Sequence, residues 1–221
     1  MSIELSKHTR EPAQEPNLRA LMADGLAEVG LDLDPQRVDC LVELAALVHH
    51  WGRSINLTGH RSPEAIARGL ILDAAAMLSV LPDFESVTDL GSGAGFPGLP
   101  IAILRPSRRL LSVEVRRKRV FFQRAAVREL GLENVEILQG RFEALEARPG
   151  PLVVAQAVAA PEQALEWMLP WCEVGGLLAI PGSESPPDLP DDPRIRDAEL
   201  LEYRVPQGGR TRTLWCARRA R

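Results

Sequence analysis

Residues 89–100 read D-L-G-S-G-A-G-F-P-G-L-P, directly after Val87-Thr88. Four glycines fall within eight positions, and residues without a side chain let a backbone approach a ligand closely. Three ligand classes suit such a loop: a phosphate, a dinucleotide, or a nucleoside carrying no phosphate. A phosphate-binding P-loop needs a lysine and a Ser/Thr after its last glycine, and none follows Gly98. Gly93-Ala94-Gly95-Phe96-Pro97-Gly98 formally matches G-x-G-x-x-G, with Glu114 downstream, so a dinucleotide stays open.

Four features favour S-adenosylmethionine (SAM). Asp89 precedes the first glycine by two positions, and a carboxylate there suits an ammonium group and repels a pyrophosphate. Phe96-Pro97 brings an aromatic ring to the loop, suited to an apolar ligand surface. Glu114 would accept hydrogen bonds from the two ribose hydroxyls. The loop also follows a long helical stretch, which an ordinary dinucleotide domain does not need.

The elements that must position this loop are legible around it. From Leu18 to about Leu81 apolar residues recur at three- and four-residue steps, the period of amphipathic helices. Asp34-Pro35 and Ser62-Pro63-Glu64 read as helix starts, the latter before a helix over 65–80. From Val87 the pattern alternates: strand 87–90, helix 98–104, strand 110–115, helix 117–130 and strand 135–138. A short helix near 142–147, strand 152–158, helix 161–171 and strand 176–180 follow. Residues 184–197 read as a loop, and strands 199–205 and 211–217 flank the turn 207–210. Such alternation predicts a parallel sheet covered by helices, closed by an antiparallel hairpin strand. The expected organisation is a disordered N-terminus over 1–17, a helical sub-domain over 18–84 and a SAM-binding domain over 85–221.

Net charge is −4, which on its own argues against nucleic acid. The distribution says otherwise. Residues 105–128 hold nine basic side chains and one acid, Glu114, and eight of the nine are arginine. Arginine forks bind phosphate bidentately, so a local basic face outweighs the sum. Cys40, Cys172 and Cys216 show no metal or disulfide spacing, and the histidines show no metal spacing either. No apolar run reaches the roughly 20 residues that span a bilayer. No metal, no membrane, a monomer and a cytoplasmic location are the expectations.

The loop D-L-G-S-G-A-G-F-P-G-L-P resembles the signature of the bacterial small-subunit ribosomal RNA methyltransferase G family, also called glucose-inhibited division protein B. Asn56-Leu57-Thr58 resembles that family's N-L-T motif. The run from Glu114 to Phe122, and L-G-L-E-N-V-E-I-L-Q-G-R-F-E after it, are similar too. The resemblance implies a Rossmann-like class I SAM-dependent methyltransferase fold: a mostly parallel seven-stranded sheet with an antiparallel C-terminal hairpin strand and an N-terminal helical cap. It implies methylation of N7 of one guanine in 16S rRNA of the small ribosomal subunit. Guanine N7 carries a lone pair and no proton, so no general base is expected. The expected cofactor residues are Asp89, Gly91, Gly93, Gly95, Phe96, Glu114, Phe142, Glu143 and Gln156. Asn56, Asp73, Arg117, Lys118 and Arg119 are expected on the RNA side.

Three departures stand out. The family's His-x-x-Asp-Ser reads Leu70-Ile71-Leu72-Asp73-Ala74 here, its Ser-Arg-Ala reads Ala155-Gln156-Ala157, and its Lys-Gly reads Pro181-Gly182. The SAM half of the site is complete by pattern while the acceptor half is altered. A methyltransferase acting on another RNA or a small molecule, a binding relative without activity, and a nicotinamide dehydrogenase remain as alternatives.

Overall fold

The computed structural model describes residues 15–182, 192–208 and 210–221. The helical N-terminal part comprises α1 (Glu15–Glu28), α2 (Pro35–Gly52), α3 (Pro63–Ile66), one π-helical turn (Ala67–Ile71) and α4 (Leu72–Val80). Asp34 caps α2 by accepting from the Arg37 N–H at 3.0 Å, and Ser62 caps α3 by accepting from the Ala65 N–H at 3.2 Å. Both starts agree with the sequence signals.

The second part alternates β1 (Ser86–Leu90), α5 (Gly98–Leu104), β2 (Arg109–Glu114), α6 (Arg117–Glu129), β3 (Val135–Gln139), β4 (Gly150–Val154) and α7 (Pro161–Met168). A 3-10 turn (Leu169–Trp171) leads to β5 (Cys172–Pro181), and β6 (Ile195–Arg204) and β7 (Thr211–Arg219) close the chain. The seven strands run β3-β2-β1-β4-β5-β7-β6. β1 through β5 are parallel, and β7 is antiparallel to both of its neighbours. Strand order reverses between β1 and β4. In an open α/β sheet that reversal makes a crevice at the carboxyl ends of the strands, where ligands bind.

Alternating side chains fill two layers, as a pleated strand requires. Leu152, Val154, Leu177, Ala179, Leu214 and Cys216 face one way, joining α5 and the N-terminal helices through Leu41, Leu44, Leu72 and Met77. Val153, Leu178, Ile180, Trp215 and Ala217 face the other, against Leu165, Met168 and Trp171. One apolar layer therefore belongs to both the cap and the sheet.

Several boundaries differ from the sequence reading. Residues 15–17, expected as disordered, lie in α1, while residues 1–14 are outside the described set. The helix over 65–80 is interrupted by the π turn at Gly69, where the His60 imidazole occupies the space a side chain would need. The short helix near 142–147 is a single turn, with the Ala144 and Leu145 N–H groups both donating to Arg141 O. Leu145 must close over Gly140 before the chain returns to β4. β4 ends at Val154 instead of 158, because Ala157 at φ 53° turns the chain out of the sheet. β6 starts at Ile195, inside the stretch read as loop; residues 184–191 of that stretch, and residue 209 of the turn read at 207–210, are outside the described set.

The shared layer predicts one cooperative unfolding event. Leu41→Ala should cost about 2–5 kcal/mol, with tryptophan fluorescence and far-UV circular dichroism following the same urea transition. Two separated transitions would show that cap and sheet unfold independently.

Candidate functional site

The glycine loop leaves β1 at the carboxyl edge, at the point of strand-order reversal. The Gly91 and Ser92 N–H groups donate to Val113 O of β2 at 2.8 and 3.1 Å, so the loop bends across the neighbouring strand. Gly91, Gly93 and Gly95 have φ of 70°, 60° and 85°. That region is costly for side-chain-bearing residues, and a Cβ on Gly91 would collide with Val158. Gly98 is needed for a different reason, since a Cβ there would fall 2.7 Å from Asp89 Oδ2.

Asp89 is buried, and its Oδ2 accepts from the Gly98 N–H at 2.9 Å. The carboxyl group thus fastens the start of α5 from a buried position. Its Oδ1 is buried without a hydrogen-bond partner. Burial pushes its pKa up to about 8, partly opposed by the Gly98 N–H. A neutral acid is the physical resolution of a buried carboxyl with one satisfied oxygen.

Glu114, at the end of β2, is also buried. Its Oε2 accepts from the Gly93 N–H at 2.9 Å and its Oε1 from the Arg116 N–H at 2.7 Å. Arg119 Nη1 lies 3.7 Å from Oε2. Each carboxylate oxygen keeps a further lone pair for a hydroxyl donor. Beneath the loop lies a buried polar cluster. Ser112 Oγ is 2.7 Å from Ser92 Oγ and donates to Gln123 Oε1 at 2.6 Å. Gln123 Nε2 donates to Ser92 Oγ at 2.8 Å and to Gly93 O at 2.9 Å. Helix α6 therefore grips the loop from below as β2 does from the side.

The remaining expected residues fall into three places. Phe142 is half-buried against Trp167, with ring centroids 5.1 Å apart, and its ring reaches the Gly91 side of the loop. Glu143 beside it is exposed. Phe96, Asp73 and Gln156 line one small cleft together with Leu70, Pro181 and Tyr203. Asp73 is held there by the Tyr203 hydroxyl at 3.1 Å and by Arg212 Nη1 at 3.1 Å. Burial raises its pKa, against the pull of Arg212 and Tyr203. Asn56, Arg117 and Lys118 are exposed, whereas Arg119 folds back over Glu114 and Gly93. Sequence reasoning missed Ser92, Ser112, Gln123, Tyr203 and Arg212, and it missed Val115, an apolar residue left 47% exposed next to Glu114.

Other concave and reactive features lie apart from this edge. A broad surface cleft, lined in part by Arg37, Cys40, Arg109 and Asn134, opens at the amino end of β2. Burial pushes the Cys172 and Cys216 thiols up to about 12, which keeps them unreactive. Among the described residues no cluster of His, Cys, Asp or Glu is disposed to hold a metal, and no helix is long and apolar enough to cross a membrane.

A family model described as rRNA small subunit methyltransferase G matches residues 37–195. The chain belongs to this family. It is 38% identical to the ribosomal RNA small subunit methyltransferase G of Chromohalobacter salexigens, over 93% of this chain and 99% of that one. The corresponding protein of Neisseria meningitidis serogroup B is 30% identical over 80% of this chain and 88% of its own length. Among solved structures, the Streptomyces achromogenes O-methyltransferase TomG in complex with SAM superposes with a TM-score of 0.57. It shares 16% identity and covers 95% of this chain and 99% of its own. M. jannaschii TYW2 in complex with AdoMet gives a TM-score of 0.53 at 13% identity, over 75% of this chain and 78% of its own. These likenesses concern the fold, which is that of the SAM-dependent methyltransferases. For the family the notable feature is convergence: Leu70, Gln156 and Pro181, the three departures from its motifs, all line the one cleft beside Phe96. The guanidinium of Arg212 reaches the adjacent Gly182.

The state of Asp89 gives a pH prediction. Its folded pKa lies above the unfolded value of 3.8, so the unfolded chain loses the proton first. Its contribution to stability is full below about pH 4 and fades as pH rises toward about 8. Asp89→Asn, which stays neutral, should therefore gain in stability relative to the parent as pH is raised across that window in urea unfolding. A constant difference between the two would show that Asp89 titrates alike in the folded and unfolded chain.

Proposed function

We propose that this chain transfers the methyl group of SAM to N7 of a guanine in 16S rRNA. The observation that carries the reading is the full-length correspondence with the C. salexigens relative, 99% of which is covered, in a chain whose glycine loop is fastened at the strand-order reversal.

The residues present fit SAM. Glu114 offers its free lone pairs to the ribose hydroxyls, and the loop from Gly91 to Gly95 gives side-chain-free backbone to the amino-acid end. Val115 and Phe142 supply apolar surface on the two sides available to the adenine. Asp89 acts through the fold, by holding α5 and the loop in register. When bound, SAM supplies an already activated, electrophilic methyl group. The protein then has to place guanine N7 in line with it and exclude water, since the acceptor atom has no proton to remove. Phe96 is buried where it lines the cleft, so it shapes the wall behind the guanine, with the Asp73–Arg212 pair as charged groups at the same edge.

The convergence of Leu70, Gln156 and Pro181 in that cleft favours a second reading, in which the same chemistry is directed at another acceptor. The two separate in one assay. Small ribosomal subunits from a strain lacking the modification, incubated with the protein and methyl-labelled SAM, should yield labelled N7-methylguanosine on nuclease digestion and mass spectrometry. No label in the rRNA, or label in another nucleoside, would contradict the guanine-N7 reading. Glu114→Gln should weaken SAM binding by about tenfold, the loss of a charge-assisted acceptor, read by calorimetry; unchanged binding would remove Glu114 from the cofactor site.

A further inference from the structure

Helix α6 carries a side chain that its own packing does not explain. Phe121 is 63% exposed, the one aromatic among the exposed large apolar residues described. Its neighbours in sequence on the buried side, Val120, Phe122 and Gln123, are fully enclosed, so the exposure is not a matter of a loosely packed helix. On the surface of α6, residues three, four and seven apart share a face. That places Arg117, Lys118, Arg124 and Arg128 around Phe121, all four of them exposed. The one acid of α6, Glu129, sits at its far end.

Phe121 is nevertheless held. Trp51, near the end of α2, lies against it with ring centroids 5.7 Å apart and planes tilted by 58°, and against Phe122 at 5.9 Å. The indole thus anchors one side of the Phe121 ring and leaves the rest in solvent. The location is equally specific. Helix α6 begins at the carboxyl end of β2, next to Glu114 and Arg119, so Phe121 stands one turn away from the proposed cofactor site.

An exposed ring, immobilised from one side and surrounded by cations, matches what an unpaired nucleotide needs. Every base presents a π-face to an aromatic ring, and the adjoining phosphates are met by the basic side chains. We propose that Phe121, backed by Trp51 and flanked by Arg117, Lys118, Arg124 and Arg128, forms a stacking platform for an unpaired base of the RNA substrate. The inference rests on the reading of the chain as an rRNA methyltransferase and adds to it where a nucleotide beside the target docks.

The test uses the full chain and two single-stranded probes of equal length and charge: a dodecamer of adenylate and an abasic dodecamer. The parent protein should bind the adenylate probe more tightly. Phe121→Ala should lose about tenfold on the adenylate probe and nothing on the abasic one, with its thermal midpoint unchanged, and Phe121→Trp should retain the preference. Arg117→Ala with Lys118→Ala should weaken both probes and flatten the dependence on salt. Equal loss on both probes, no loss on adenylate, or a lowered midpoint with unchanged binding would overturn the platform. So would a polyglutamate of the same length binding as tightly as the adenylate, which would mark a protein surface. Methyl transfer to ribosomal subunits is scored separately. A protein that discriminates the probes through Phe121 but methylates no rRNA keeps the platform and loses the guanine-N7 reading.

Discussion

The Glu114 carboxylate ties two turns together in opposite directions. One oxygen holds the Gly93 N–H in the middle of the glycine loop, and the other holds the Arg116 N–H at the threshold of α6. A loop with three residues at positive φ has few intrinsic reasons to keep one shape. Here it is clamped from the side by Glu114, from below by Gln123 and Ser112, and from behind by the Asp89–Gly98 hydrogen bond. Each clamp comes from a neighbouring element, so the loop's shape is set by the sheet order and not by its own sequence alone. Two buried carboxyl groups play contrasting parts: Asp89 is satisfied on one oxygen and driven toward neutrality, whereas both oxygens of Glu114 are met by N–H donors.

The proposed acceptor side is built on a different principle. Asp73, Tyr203 and Arg212 come from α4, β6 and β7 and close a polar contact between the cap and the C-terminal hairpin. The cleft they border is lined by Leu70, Gln156 and Pro181, none of which carries a charge. Arg212, reaching Gly182, brings a guanidinium to the same edge, and the His60 imidazole packs on Gly69, one residue from Leu70. A guanidinium and an imidazole thus stand near this edge, brought there from other parts of the chain. This is why the departures do not by themselves argue against methyl transfer to RNA.

How much of this the sequence reveals follows from how local each interaction is. The glycine loop and Glu114 are readable because strand, loop, helix and strand succeed one another within some thirty positions, and the hydrophobic period changes visibly at Val87. The helix starts at Asp34 and Ser62 are readable for the same reason. Gln123 is not: a glutamine amid arginines looks like surface, and only the approach of α6 to β1 and β2 buries it. The Tyr203–Asp73 bond spans 130 residues, beyond any pattern. The Glu-Ala-Leu-Glu-Ala stretch near 145 favours a helix intrinsically, but the short return from β3 to β4 leaves room for one turn. The bond from the Gly98 N–H to Asp89 is not legible either, because a carboxylate near a ligand loop reads first as a ligand contact and its protein partner lies nine residues on in the next helix.

The clamped loop and Glu114 together form the proposed seat of the cofactor. The most direct measurement is a crystal structure of the protein with S-adenosylhomocysteine, the demethylated product. The ribose hydroxyls should lie on Glu114 and the amino-acid end against the backbone of Gly91–Gly95, with the thioether sulfur directed toward the cleft of Phe96 and Gln156. Product bound elsewhere, or bound at this edge with its ribose away from Glu114, would contradict that seat.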